Sequence, residues 1–249
     1  MPLNLKNCIT YFDYKVYSGG LQDIDLSDKL MINTINQYSC YMASLDEGFK
    51  RALQHSDILL PDGVGVTLSA QLIYGKKIKK IAGADIHQKL LELLQQHGGR
   101  CFYLGASNET LSKIKNKINS NYSAIQFSSY SPPFKPHFSD NDNNTILEQV
   151  NSFKPHVLFV GMTAPKQEKW AAEHRLMLDA NIICSIGAVF DFYAGTVDRP
   201  KDVWIKLGLE WFVRFLKEPK RMWKRYFYYG PLFGGMVLRK WYQIKFGRK

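Results

Sequence analysis

The chain predicts an α/β fold: a Rossmann-like, mainly parallel sheet flanked by helices. Two observations carry that expectation. Short apolar runs recur along the sequence, each ending at a glycine or a small polar group and each followed by helical spacing, as at Ser56–Leu60, Arg100–Gly105, His156–Gly161 and Asn181–Gly187. β-loop-α units in series bury their strands on both faces and place helices outside, which is the architecture of a parallel sheet. The polar motifs also fall at the carboxyl ends of the runs, at Thr34/Asn36, Asp62, Gly105, Gly161 to Gln167 and Gly187 to Asp191. In such sheets a ligand sits beyond those ends, so one shared cleft is expected.

In chain order, Cys8 to Val16 reads as a first strand and Lys29 to Thr34 as a second. Tyr41, Leu45, Phe49 and Leu53 recur every four residues and predict a helix. Ser56–Leu60 is a strand, Pro61-Asp62-Gly63-Val64-Gly65 a tight turn, and a helix follows through Leu68 and Leu72. A helix from Asp85 to Gln96 stops at Gly98-Gly99. Arg100–Gly105 is a strand, followed by a Ser107/Asn108 cap and a helix to about Ile118. Ser128 to Asn144, rich in Ser, Pro, Asn and Asp, reads as a loop that can cover the cleft. Pro165 opens a helix after the His156–Gly161 strand, as proline does at a first helical position. Asn181–Gly187 is the last strand.

Charge divides the chain. Residues 205–249 hold twelve Lys/Arg against two acids, and so carry +10 of a net +11. We therefore expect an α/β catalytic domain over 1–200 and an appendage over 201–249. In the appendage Leu209, Phe212, Val213, Leu216, Met222, Trp223, Tyr226 and Phe227 interleave with Arg214, Lys217, Lys220, Arg221, Lys224 and Arg225. Pro219 breaks the pattern, predicting two short amphipathic helices. Such a basic, aromatic segment fits an anionic membrane surface; a solvated helix packed on the domain and a nucleic-acid contact are the alternatives. The first sixteen residues lack a signal-type apolar core, and no window is apolar enough to span a bilayer. A cytoplasmic protein with peripheral membrane contact follows. Cys8, Cys40, Cys101 and Cys184 show no C-x-x-C spacing; Cys101 and Cys184, inside strand-like runs, read as reduced core residues.

Asp62 lies between a strand and a helix, where a carboxylate can cap the helix or act as a general base toward an attacking hydroxyl. Gly63 and Gly65 let backbone approach a ligand. The helix opening at Pro165 offers free amides and a positive dipole end to a phosphate, or is simply capped by Thr163 with Lys166 and Gln167 solvated. Asp191, between Phe190 and Phe192, can read a base or sugar hydroxyl or only brace its loop. There is no G-x-G-x-x-G, Walker A lysine or H-E-x-x-H, and no D-x-D pair suggests a metal–diphosphate site, which weakens NAD, P-loop and metal readings.

The segments Asp62-Gly63-Val64-Gly65, Gly83-Ala84-Asp85, Ala164-Pro165-Lys166-Gln167-Glu168, Gly187 through Gly195, and Gly208-Leu209-Glu210-Trp211 through Glu218-Pro219 to Lys224-Arg225-Tyr226 occur in that order. In this the chain resembles the WecG/TagA/CpsF family of bacterial glycosyltransferases, over about Thr34 to Tyr226. The resemblance implies inverting transfer from a UDP-sugar (N-acetylmannosamine, its uronic acid, or glucose) to a polyprenyl-diphosphate-linked glycan at the inner membrane face, without a required metal or other cofactor. It implies Asp62 as base, Thr34, Asn36 and Gln167 around the sugar or diphosphate, Asp191 on the uracil side, and Arg214, Arg221 and Arg225 delivered by the appendage. Further substrate-lining positions expected are Gly63, Gly65, Asp85, Gly105, Gly161, Pro165, Lys166, Gly187 and Phe190. The expected partners are the donor, the lipid-linked acceptor and an anionic membrane, not nucleic acid; oligomeric state stays open, since the apolar tail could pack on a second copy when no membrane is present. Two positions depart from the family pattern: Lys80 where an arginine is usual, and Pro200-Lys201 where Ala-Pro is usual.

Overall fold

The computed structural model describes residues 7–197, 203–204 and 210–247, without the side chains of Glu210, Arg214 and Arg221. Six strands form one sheet: β3 (Leu30–Ile35), β4 (Ile58–Pro61), β5 (Arg100–Gly105), β6 (Gln126–Tyr130), β7 (Val157–Gly161) and β8 (Ile182–Ser185). Their order is β4-β3-β8-β7-β5-β6, and every pairing is parallel. All carboxyl ends therefore meet one rim of the sheet.

Alternation along each strand divides the core. Ile32, Ile58, Leu60, Cys101, Tyr103, Val157, Phe159, Ile182 and Cys184 face α4 (Gly83–His97), α5 (Asn108–Asn121) and α8 (Gly187–Ala194). Met31, Phe102, Leu104, Leu158, Val160 and Ile183 face α6 (Asp140–Phe153) and α7 (Lys166–His174). Burial on both faces explains why these strands read as unbroken apolar runs. A third cluster joins α1 (Gln37–Leu45), α2 (Glu47–Gln54) and α3 (Val64–Tyr74) to the hairpin β1 (Cys8–Tyr11) and β2 (Tyr14–Tyr17), and takes in Phe233 and Val237 from the chain's last helix. All four cysteines are free; Cys8 is half-buried and the other three are buried.

Several elements differ from the sequence expectation. Cys8 to Val16 is two strands, not one, because Phe12 turns through φ 49° and its N–H is held by Tyr74 Oη at 2.8 Å. The four-spaced run Tyr41 to Leu53 is two helices. Asp46 breaks it, its carboxylate accepting the Phe49 N–H to cap α2, and Leu45 is left 67% exposed. The segment 128–144 is not all loop: it holds the end of β6 and the start of α6, whose first turn is opened by a reciprocal Ser139/Asp142 cap. Gly187 to Asp191 is the first part of helix α8, closed by Gly195 at φ 77°. Pro165 is the cap residue before α7 and not its first helical residue.

The appendage is longer in helix than expected. α9 (Glu210–Lys217) and α10 (Pro219–Trp223) are followed by a π turn (Lys224–Tyr228) and the 18-residue α11 (Tyr229–Phe246). Pro231 is tolerated in α11 because it lies just past the π turn, where the regular hydrogen-bond ladder is already interrupted. α11 packs against α1 and α3, burying Phe233 and Val237.

Candidate active site

Among the described residues, two separate hollows carry sequence-predicted site residues. The first, about 400 Å³, is lined by Asn36, Gln37, Tyr38, Asp62, Gly63, Val64, Gly65 and Lys80 from the α/β body and by Trp211, Arg225, Tyr226, Gly230 and Phe233 from the appendage. The second, about 450 Å³, lies between α4 and α8 and is lined by Ala84, Asp85, His87, Gln88, Lys89, Glu92, Val189, Phe192 and Tyr193. The segment from Lys80 to Asp85 runs from one to the other. The sequence-predicted site residues are therefore not all on one cleft wall, and the β5 and β7 tips at Gly105 and Gly161 are closely packed. A Cβ on Gly105 would stand 2.4 Å from the Gly161 carbonyl oxygen, and one on Gly161 would stand 2.4 Å from the Phe190 ring.

Asp62 follows β4 directly, and its N–H donates to the Ile35 carbonyl at 2.8 Å, tying the β4 tip to the β3 tip. Gly63 then takes φ 103°, a conformation that glycine adopts without strain, and starts α3. A Cβ on Gly65 would stand 2.6 Å from Gln37 Oε1, so this glycine admits the Gln37 side chain to the cleft wall. Asn36 caps α1: its Oδ1 accepts the Ser39 N–H at 3.0 Å while Ser39 Oγ accepts the Asn36 N–H. Thr34 is half-buried on β3, in register with Leu60. Arg225, from the π turn, lies over the Tyr38 ring at 4.6 Å. Asp62, Asn36, Gly63, Gly65 and Arg225 thus share one hollow. Arg214 and Arg221 have backbone in α9 and α10, but their side chains lie outside the described residues.

The remaining candidates are not among the residues lining that hollow. Gln167 is buried, accepting the Gly187 N–H at 3.1 Å and donating to Glu168 Oε1 at 2.8 Å. It holds the start of α8, where a Cβ on Gly187 would stand 2.5 Å from Gln167 Oε1 and 2.7 Å from the Met162 carbonyl oxygen. Phe190 is 1% exposed and packs in the core on Tyr103 at 5.0 Å, so it is not a ring on a pocket wall; Phe192 lines the second hollow. Lys166 donates to the Lys135 carbonyl at 2.6 Å and lies 3.4 Å over the Phe138 ring, anchoring the segment before α6 beside Pro165. Desolvation lowers its ammonium pKa. Asp85 accepts the Ala82 N–H at 2.9 Å, capping α4, and also lines the second hollow. Asp191 lies half-buried on α8.

The sequence reading assigned no role to Tyr38 or Glu168. Glu168 is buried, and burial pushes its carboxyl up to about 7. Its Oε2 has no hydrogen-bond partner among the described residues, and it feels the Arg225 charge. Glu168 stands in the segment that carries the family resemblance, but nothing in its spacing signalled burial. Burial also raises the Tyr38 phenol, with Arg225 opposing. In the second hollow His87 is fully buried, its pKa lowered to about 3 by desolvation, with Nε2 2.6 Å from the Tyr103 hydroxyl. Among the described residues no helix is long and apolar enough to cross a membrane.

Residues 19–246 match the model of the glycosyl transferase WecG/TagA/CpsF family. The chain is 30% identical over 227 residues to an N-acetylglucosaminyldiphosphoundecaprenol N-acetyl-beta-D-mannosaminyltransferase of Bacillus subtilis (strain 168), covering 90% of this chain and 84% of that one. A protein of the same name from Bacillus spizizenii is 27% identical over 81% of this chain and 76% of its own. Another from Staphylococcus aureus (strain MW2) is 24% identical over 79% and 75%.

Proposed function

The chain belongs to the WecG/TagA/CpsF glycosyltransferase family, and from that premise we propose that it transfers N-acetylmannosamine from its UDP derivative, with inversion, to a polyprenyl-diphosphate-linked N-acetylglucosamine in the synthesis of a cell-surface polymer. The observation that carries this reading is the placement of Asp62 at the β4 tip, facing a cleft whose other wall brings Arg225 from the appendage. The relatives' names supply the sugar and the acceptor class.

In the proposed step the acceptor hydroxyl oxygen attacks the anomeric carbon from the face opposite the diphosphate. The bond from that carbon to the diphosphate oxygen breaks, and UDP leaves with the electron pair. Asp62 takes the hydroxyl proton as a general base. The departing diphosphate gains negative charge, and Arg225 and Lys80 are the cations on the described cleft wall that can meet it. Arg214 and Arg221 belong to the same proposal, carried by α9 and α10. Asn36 and Thr34, beside Asp62 on the β3 side, would hold the sugar.

The acceptor is a lipid, and the appendage supports docking to the inner face of the cytoplasmic membrane. Trp223, Phe227 and Tyr228 are exposed beside exposed Lys220 and Lys224. Aromatics at headgroup depth with basic groups over anionic lipid are the ordinary means of such docking. The test is UDP release with a panel of UDP-sugars and a lipid-diphosphate N-acetylglucosamine acceptor. Turnover with UDP-N-acetylmannosamine above the other donors is expected; turnover confined to another sugar, or none with a lipid-linked acceptor, removes the proposal.

A further inference from the structure

The Asp62 hollow has two walls, and the appendage is one of them. The other begins at α3, which starts at Gly63–Gly65 on the cleft and runs outward to Gly75. α3 buries Val66, Ser69, Ala70 and Ile73 on one side. On its opposite side, one helical turn apart, Leu68 is 60% exposed and Leu72 is 51% exposed. The loop that follows, Lys76-Lys77-Ile78-Lys79-Lys80, presents exposed Lys76, Lys77 and Lys79 and returns to the cleft at Lys80. No Asp or Glu occurs between Asp62 and Asp85. A single exposed leucine is unremarkable; a pair on one helical face, joined to a run of lysines in an acid-free stretch, is a basic amphipathic surface. α11 lies against α3, so the appendage packs on the same helix that carries this face.

We propose that the outward face of α3 and the Lys76–Lys80 loop form a second contact with an anionic lipid bilayer, so that the Asp62 cleft opens toward the membrane between two lipid-touching walls. This rests on the lipid-acceptor reading above and extends it. Charge complementarity selects the occupant: lysines at the end of an apolar helical face match a negatively charged headgroup layer over acyl chains. A cleft held on both sides admits a headgroup-linked sugar without lifting its lipid from the bilayer. With one wall attached, the protein would pivot about the appendage and the cleft mouth would spend time turned to water.

The experiment uses the full chain and two variants that leave the appendage and cleft residues intact, L68Q/L72Q and K76Q/K77Q/K79Q. Binding is measured by flotation with phosphatidylglycerol/phosphatidylethanolamine vesicles and with phosphatidylcholine vesicles. Melting temperature and turnover on a short-chain, water-soluble acceptor analogue are measured in parallel. Each variant is expected to bind anionic vesicles at least about tenfold more weakly, from the loss of several favourable surface charges or of the apolar contact. Turnover on the soluble analogue and melting temperature should match the parent. If the parent binds anionic vesicles and both variants bind equally well, the second wall is overturned while docking by the appendage stands. If the parent fails to bind any vesicle, both readings fall. If L68Q/L72Q changes the sedimenting mass and not vesicle binding, the α3 face is a contact between copies of the chain, and the proposal is overturned.

Discussion

At the scale of single residues, two carboxyl groups on the Arg225 side of the rim sit in different surroundings. Asp62 is half-buried on an open cleft wall. Replacing it with Asn keeps its size and removes its ability to take a proton. D62N should lower turnover roughly 10²- to 10⁴-fold, the usual contribution of a general base, while UDP affinity by calorimetry stays near the parent value; undiminished turnover would remove Asp62 from the base role. Glu168 is enclosed, and burial holds its carboxyl near 7 instead of 4.5. Between those values the folded chain holds a proton that the unfolded chain has released, so stability from this group is present at low pH and falls as pH rises through the window. E168Q removes that dependence. The urea midpoint of E168Q relative to the parent should therefore climb from pH ~4.5 to pH ~7. A constant difference across that range would show that Glu168 titrates normally.

At the scale of elements, legibility followed burial. β5, β7 and β8 are covered on both faces, so their composition alone announces them. α6 was hidden because its first turn is Asp140-Asn141-Asp142-Asn143-Asn144, a run that reads as loop but suits the positive end of a helix once Ser139 caps it. The α1–α2 break was hidden because Asp46 interrupts the run without disturbing its four-residue spacing; the break depends on a capping hydrogen bond and an ion pair from Lys169 in α7. The β5 and β7 tips depend on fit that no spacing displays. G161A sets a methyl 2.4 Å from the Phe190 ring, which is held in the core. Overpacking of this kind costs ~1–3 kcal/mol, and for a chain of this size each kcal/mol lowers the melting temperature by about 2–4 °C. Calorimetry should show that loss, and an unchanged melting temperature would mean that the β7 tip yields freely.

At the scale of the whole molecule, the sequence showed that the charge was terminal and amphipathic, and that the cleft motifs lay on one rim. The resemblance placed arginines of the appendage at the cleft, but no spacing shows how the appendage docks: Phe233 and Val237 of α11 join the buried cluster of Ile35, Cys40, Ala43, Val66 and Ala70. Those contacts hold the π turn, and with it Arg225, over Tyr38. Val237 does not line the cleft, so it tests the docking separately from the chemistry. V237D buries a carboxylate among apolar side chains, which costs several kcal/mol unless the helix lifts away. Lifting exposes the appendage and withdraws one cleft wall. Limited proteolysis should then cut within 203–247 well before the α/β body, and turnover should fall even with a water-soluble acceptor and no membrane present. That last condition is the discriminating one. An appendage that served only to reach the bilayer would leave soluble turnover intact in V237D, whereas an appendage that completes the site cannot be detached without losing it.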